Sequence, residues 1–425
     1  MSINRRALLQ TAGAAAATVG WSAMPGCATV SGAHGPKVVI VGGGYGGATA
    51  AKYIRMWSPN IDVTLIERNA EFISCPLSNL VLGGSQSMKD ITVSYDTLQK
   101  KYGVKVLRGE ASSVDIDKKL VRMASGDAIP FDRVILSPGV DFMYDMVPAL
   151  NNVAAQEKIV HAWTAGPQTL ALRKQLEAMK DGGVFAIAVP EAPYRCPPGP
   201  YERACQVAAY FKQAKPNSKV LILDANMDVT SKPGLFKKAW AEMYPGMVEY
   251  RGNAKLMDVD VASTTAKLEF GDVKADVLNV LPPMKAGSIA NAFITANQRW
   301  CEVNWITYEA RDTPGVHLLG DALQIAPAMP KSGHMANGHG KACAAAVVAL
   351  LNGETPNPSP TLTNTCYSFV SADKVIHVAS VHKYDGVAKT MKAVPGSGGV
   401  SAQASELEGQ YAMTWAKNIW ADTLE

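Results

Sequence analysis

Three cysteines stand in segments whose composition suits chemistry. Cys75 lies in I-S-C-P-L-S, Cys196 in Y-R-C-P-P-G-P and Cys366 in T-N-T-C-Y-S-F. The last two read as active-site loops. Prolines hold Cys196 just ahead of a predicted helix, whose N-terminus would favour a thiolate there. Glu202, in that helix, is placed to shuttle a proton beside the pair; a solvent-facing carboxylate is the competing reading. For Cys196 and Cys366 the competing reading is a structural disulfide between distant segments, and for Cys75 a packed thiol after a strand. Cys343 falls inside an apolar helix and reads as a buried thiol. Cys205 and Cys301 are open between buried thiols and a second bridge.

The elements that must position these thiols begin with a nucleotide site. Lys37 to Val41 is a short apolar strand, followed by Gly42-Gly43-Gly44-Tyr45-Gly46-Gly47 and an Ala-rich helix. Gly42 turns the chain, Gly44 lets a pyrophosphate approach the backbone, and Gly47 lets helix and strand pack closely. The helix N-terminus then faces the phosphates. A second strand, 62–66, ends at Glu67, the carboxylate expected about 20 residues further on to accept from ribose hydroxyls. Such an acid would repel a 2′-phosphate. Strand, helix, second strand and acid in register make this a dinucleotide site.

The far end of the chain makes the dinucleotide FAD. Thr313-Pro-Gly-Val-His-Leu-Leu-Gly-Asp321 resembles the second flavin motif of two-dinucleotide-fold oxidoreductases, with Asp321 set to meet the ribityl hydroxyls. Val134-Ile-Leu-Ser-Pro-Gly139 resembles their third element, usually A-T-G; Gly139 is kept and Pro138 removes a backbone donor. After Asp321, a further predicted helix would point its start at the flavin pyrimidine, with Lys331 supplying more positive charge. His334 and His339 lack any carboxylate pattern beside them, so local hydrogen bonding is expected and no metal site.

The middle of the chain offers a strand, 184–189, and then Pro190-Glu-Ala-Pro-Tyr-Arg-Cys-Pro-Pro-Gly-Pro200. Prolines remove backbone donors and the loop has a single glycine, so it is not expected to wrap a pyrophosphate. A helix from Tyr201 to about Lys212 and a strand, 219–223, complete a nucleotide-like unit without a nucleotide. NAD(P)H is accordingly not expected as a substrate.

Arg5-Arg6, an apolar Ala-rich run from Ala7 to Trp21 and the absence of acids there resemble a twin-arginine export signal, cleaved after Ala33. Cys27 in M-P-G-C-A is the alternative, as a lipidation site. The expected location is the periplasm, where disulfides are permitted. Formal net charge is only +4 and no long basic run occurs, so nucleic acid is not an expected partner. No apolar stretch is long enough to predict a transmembrane span. The expected organisation is an export signal at 1–33, an FAD-binding domain at 34–160 and 296–355, a second nucleotide-like domain at 161–295, and a C-terminal interface domain at 356–425. Near the end, Tyr411, Trp415, Ile419 and Trp420 recur at helical spacing. They would pack on the flavin domain, contact a partner or touch a membrane surface. No C-x-x-C-H occurs, so this chain holds no haem of its own.

Together V-G-G-G-Y-G-G, I-S-C-P-L-S-N, Y-R-C-P-P-G-P-Y-E-R, H-L-L-G-D, M-P-K-S-G and N-T-C-Y-S resemble the flavoprotein subunits of flavocytochrome c sulfide dehydrogenases, relatives of the sulfide:quinone oxidoreductases. The resemblance implies an α/β, glutathione-reductase-like fold with two dinucleotide-binding domains and a C-terminal interface domain. It implies FAD bound covalently through its 8α-methyl group to Cys75, and a redox-active Cys196–Cys366 disulfide. The substrate would be a small inorganic sulfur compound, sulfide, with electrons passing to a haem-bearing cytochrome c subunit. Position beside a helix favours Cys196 as the thiolate, leaving Cys366 to carry the persulfide. The alternatives are a sulfide:quinone oxidoreductase and a flavin-bearing component of a thiosulfate-oxidising system.

Overall fold

The computed structural model describes residues 35–295 and 298–425. The leader reading on Arg5, Arg6, Cys27 and Ala33 lies outside the described residues.

Strand β1 (Lys37–Val41) is apolar over its length and buried from Val38 onward. That pattern suits a central parallel strand covered on both faces. Its parallel neighbours are β2 (Asp62–Glu67) and β4 (Arg133–Leu136), while β3 (Lys105–Arg108) extends the sheet beyond β2. The sixfold order is completed from far along the chain by β9 (Glu309–Ala310) and β10 (Thr313–Leu318), giving β9-β10-β4-β1-β2-β3. The two flavin motifs, remote in sequence, are therefore strands of one sheet.

Helix α1 (Tyr45–Trp57) follows β1 directly. At Gly47 a Cβ would lie 1.9 Å from the Gly42 carbonyl oxygen, so only glycine lets this helix leave the strand at such a close angle. Helix α4 (Gly333–Leu351) packs across α1, and at Gly340 a Cβ would come 2.5 Å from the Gly46 carbonyl oxygen. Short α2 (Ser78–Gly83) follows Cys75.

A second sheet is parallel throughout, in the order β7-β6-β5-β8, from β5 (Val184–Val189), β6 (Lys219–Asp224), β7 (Val248–Arg251) and β8 (Val277–Val280). Helix α3 (Gly199–Ala214) joins β5 to β6. The C-terminal region is antiparallel: β11 (Thr361–Phe369) pairs with β12 (Val375–Asp385), and β12 with β13 (Thr390–Ala393). Cys366 thus sits on a strand, not in the loop expected, because Thr361 to Phe369 pairs residue by residue with β12, Cys366 opposite Val378. The fold is the two-dinucleotide-binding-domain flavoprotein type with an added C-terminal unit.

Helix α5 (Glu406–Leu424) closes the chain against α1. Lys52 Nζ donates to the carbonyls of Ala421 and Asp422, Tyr53 donates to Asp422 at 2.6 Å, and Trp420 Nε1 donates to the Tyr45 hydroxyl at 3.0 Å. Ile419 is buried while Tyr411 is 52% exposed, so most of the aromatic stripe faces inward. Among the described residues no helix is long and apolar enough to cross a membrane.

Replacing Gly47 with Val places branched carbons into the Gly42 carbonyl. We expect loss of bound flavin absorbance and destabilisation of about 3 kcal/mol, read from the visible spectrum and a thermal melt.

Candidate active site

One cavity of about 610 Å³ runs from the glycine turn, past Glu67, to the cysteines. Its wall carries Gly42, Gly44, Glu67, Cys75, Gly139, Cys196, Glu202, Asp321 and Cys366. Gly47 and Lys331 are not on it. Gly47 acts through packing, as expected. Lys331 departs from expectation: it is 2% exposed, and its Nζ donates to the carbonyls of Asp321 and Leu323 and lies 3.5 Å from the Trp300 ring centre. Those partners turn the ammonium away from the cavity, and burial lowers its pKa to about 7.

The cofactor end fits FAD on several grounds. A Cβ on Gly44 would meet no atom within 4 Å, so the backbone there is open to a close-lying group. No side chain caps α1 and no acid occupies its first turn, so its free N–H groups are left for phosphate. Glu67 accepts from Gly43 N at 2.7 Å and from Asn69, which fixes its carboxylate at the cavity wall. Asp321 stands at the end of β10, and α4 begins beside it with Ser332 accepting from Met335 N at 3.0 Å. His334 and His339 are engaged locally: each accepts through Nδ1, from Thr365 N at 3.0 Å and Gly320 N at 3.3 Å.

At the other end Cys75, Cys196 and Cys366 line the same wall, and the expected Cys196–Cys366 disulfide is not formed. Cys75 Sγ lies 3.9 Å from the Trp163 carbonyl oxygen. Cys196 is held by its N–H to the Lys331 carbonyl at 2.8 Å, with a left-handed φ of 60°. Cys366 Sγ accepts from Asn364 Nδ2 at 3.3 Å. All the cysteines among the described residues are free thiols. Cys205, Cys301 and Cys343 are fully buried away from this wall; Cys205 Sγ accepts from Trp240 Nε1 at 3.2 Å.

Glu202 is 9% exposed, not solvent-facing. Its Oε1 accepts from Phe369 N at 2.9 Å and its Oε2 from Asn79 Nδ2 at 2.8 Å. Burial raises its pKa despite those donors. The expected thiolate at Cys196 is corrected by this neighbour. Burial pushes the Cys196 thiol well up, and the Glu202 carboxylate pushes it further. Glu202 occupies the first turn of α3, so when ionised its charge offsets the helix end that was expected to favour a thiolate.

Some residues here were missed from the sequence. Arg203 is 1% exposed, donates to Asn79, His161, Ala162 and Asn279, and lies 4.8 Å from the Trp163 ring centre. Its signal was the final R of Y-E-R. Asn364, two positions before Cys366 on β11, and Lys232, from another segment, flank Cys366, and nothing in S-K-P-G marked Lys232 as more than a turn.

Comparison with known proteins follows the same division. The family "Sulfide dehydrogenase [flavocytochrome c] flavoprotein chain, central" matches residues 169–282, and "Flavocytochrome c sulphide dehydrogenase, flavin-binding" matches 358–424. "Pyridine nucleotide-disulphide oxidoreductase" matches 36–176. A sulfide dehydrogenase [flavocytochrome c] flavoprotein chain from Chlorobaculum thiosulfatiphilum is 56% identical over 45 residues, 11% of this chain and 94% of that sequence. The chain belongs to the flavocytochrome c sulfide dehydrogenase and sulfide:quinone oxidoreductase superfamily. It is an FAD-dependent oxidoreductase of that group. The mitochondrial sulfide:quinone oxidoreductase of Mus musculus is 22% identical over 301 residues, which span 68% of this chain and 66% of that protein. The sulfide:quinone oxidoreductase structure from Aquifex aeolicus shares the fold with a TM-score of 0.73 at 18% identity, covering 91% of each chain.

One expectation is overturned. The pyridine nucleotide-disulphide oxidoreductase match over 36–176 argues against the exclusion of NAD(P)H; a water-forming NADH oxidase from Lactobacillus brevis shares the fold (TM-score 0.61, 14% identity, 91% of each chain). The proline-rich loop tested only one way of holding a pyrophosphate. The parallel β5–α3–β6 unit keeps a helix N-terminus at the carboxyl ends of its strands, where such ligands bind.

The raised pKa of Glu202 has a sign that can be measured. A carboxyl that holds its proton more tightly when folded contributes stability below its unfolded pKa and loses it as pH rises through the folded value. Glu202→Gln should therefore gain stability relative to the wild type as pH rises from 4.5, followed by urea melts; a flat difference would show an ordinary carboxylate.

Proposed function

We propose that this chain oxidises sulfide, using Cys196 and Cys366 as the sulfur-handling pair beside bound FAD. The observation that carries the reading is convergence: Cys75, Cys196 and Cys366 come from remote segments to the wall of the cavity that also holds Asp321 and the glycine turn. Hydrosulfide would attack the disulfide formed by the pair, breaking its S–S bond, forming a persulfide on one cysteine and leaving a thiolate on the other. A second hydrosulfide would take the persulfide's outer sulfur and leave as hydrodisulfide, and bound FAD would accept the electron pair released when the remaining thiol and thiolate return to the disulfide. Glu202, between α2, α3 and β11, would hold a proton beside the sulfurs. Gly42 and Gly44 would seat the pyrophosphate, Glu67 and Asp321 the hydroxyls, and Gly139 the flavin edge. A thioether from Cys75 to the cofactor belongs to the same reading, since its Sγ lines the same wall.

For the electron acceptor, the haem c subunit expected from the sequence is the less supported reading. The relatives aligned over most of this chain are named sulfide:quinone oxidoreductases, which favours a quinone. Two sulfide dehydrogenase [flavocytochrome c] family matches keep cytochrome c as the competing acceptor. Purified protein given sulfide should reduce a soluble quinone analogue; reduction of cytochrome c alone would reverse the assignment.

Cys196→Ser should keep yellow, bound cofactor and lose sulfide-driven bleaching by at least about a hundredfold in rate. Unchanged bleaching would remove the cysteine pair from the reaction. A mass spectrum of denatured protein should show flavin mass on the peptide containing Cys75.

A further inference from the structure

Lys232 is a buried cation that the reaction above leaves unused. It is 6% exposed and stands just before the helix Pro233–Met243. Its Nζ donates to the Cys366 carbonyl at 3.0 Å and to Ser368 Oγ at 2.9 Å. Among the described residues it makes no ion pair within 4 Å. A buried ammonium without a carboxylate partner is costly, and structures keep one where it serves another charge.

The charge beside it is placed by a second device. Ser332 Oγ accepts from Met335 N and therefore spends its one proton on Asn364 Oδ1, at 2.6 Å. That leaves Asn364 Nδ2 3.3 Å from Cys366 Sγ, with Oδ1 at 3.6 Å, so the same amide can donate to a thiolate there and accept from a thiol. Asn364 is 2% exposed, so this donor has little solvent to turn to. None of the hydrogen bonds among the described residues reaches Cys196 Sγ; Glu202 raises that thiol more than the adjacent Arg195 lowers it.

We propose that Lys232, with Asn364, acts as a positioning residue that places negative charge on the sulfur of Cys366 and not on that of Cys196. The proposal rests on the cysteine-pair reading above. Hydrosulfide sulfur then bonds to Cys196 Sγ, the Cys196–Cys366 bond breaks, and its electron pair leaves on Cys366. The hydrosulfide proton stays on the terminal sulfur of the persulfide. A leaving thiol of lower pKa departs faster, which sets the direction of attack.

The electrostatics agree. Burial raises both thiols, but at Cys366 the Lys232 ammonium is the strongest opposing influence, helped by the hydrogen bond from Asn364, with Glu202 the smallest of the causes and a raising one. At Cys196 the next influence after burial is Glu202, which raises it further. Burial lowers Lys232 to about 8, so it remains mostly protonated at neutral pH. The other groups acting on Lys232 are Glu202, Cys196 and Glu408.

The test is alkylation of the thiol-reduced holoenzyme with iodoacetamide across a pH series, with peptides containing Cys196 and Cys366 quantified by mass spectrometry. The midpoint of the rate curve for Cys366 should fall below that for Cys196. Lys232→Met should move the Cys366 midpoint up by about one pH unit, a tenfold slower reaction at neutral pH, and leave Cys196 in place. Lys232→Arg should restore it. A wild-type Cys366 midpoint at or above that of Cys196, or one unmoved in Lys232→Met, overturns the proposal. Should Lys232→Met be purified without flavin, the wild-type midpoints and an upward shift in Asn364→Ser decide. Alkylation needs neither sulfide nor an acceptor, so failure of the sulfide reading shows separately, as absent bleaching.

Discussion

One buried carboxylate ties together the segments that carry the cysteines. Glu202 sits three residues into α3, whose entry loop holds Cys196. It accepts from Asn79 on α2, the helix that follows Cys75, and from the backbone of Phe369 on β11, the strand that carries Cys366. Arg203 and Gln206 reinforce the same junction from the next positions, on Asn79 and on the Phe369 and Ser371 carbonyls. Without this carboxylate, a buried amide and a buried backbone N–H would each lose an acceptor, at about 1–3 kcal/mol apiece. The sulfur geometry and the stability of the junction therefore depend on the same atoms.

Packing of the flavin-side elements answers a different constraint. There the cavity exists because helices approach backbone closely, α1 onto β1 at Gly47 and α4 onto α1 at Gly340. Helix α5 then locks the pair, with Asp422 accepting from Tyr53 and Asn337 and pairing with Lys341. Burying a carboxylate among several donors is tolerable only when each is satisfied. The terminal helix is thus part of the cofactor domain's framework, which is why its tryptophans face inward.

These two constraints differ in how far they could be read from the chain. The glycine turn, the acid ending the second strand, and Asp321 after β10 are local patterns whose spacing reflects backbone geometry. Each is on the wall of the cavity. Convergence of the thiols was anticipated from motif resemblance, yet nothing local showed that Glu202 would be the junction. Lys331 illustrates the opposite failure. Its position beside the flavin helix suggested charge for the cofactor, but two carbonyls and the face of Trp300 claimed it, and Trp300 comes from a segment no local pattern connects to it. Lys232 was invisible for the same reason: its meaning lies in what it approaches across the fold.

The reversal at the cysteine pair follows from comparing magnitudes. A helix N-terminus offers roughly half an elementary charge, concentrated in its first turn. Cys196 precedes such an end, which is the entire local case for a thiolate there. Glu202 places a carboxylate in that same turn, and when ionised it outweighs the partial charge of the helix. Cys366 lies on a strand, where no dipole of consequence exists. It has instead an ammonium bonded to its own carbonyl and an amide aimed at its sulfur. In a low-dielectric interior a full charge and an oriented donor act more strongly than across solvent. The sulfur with the weaker local credentials is therefore the one the tertiary structure equips to carry charge.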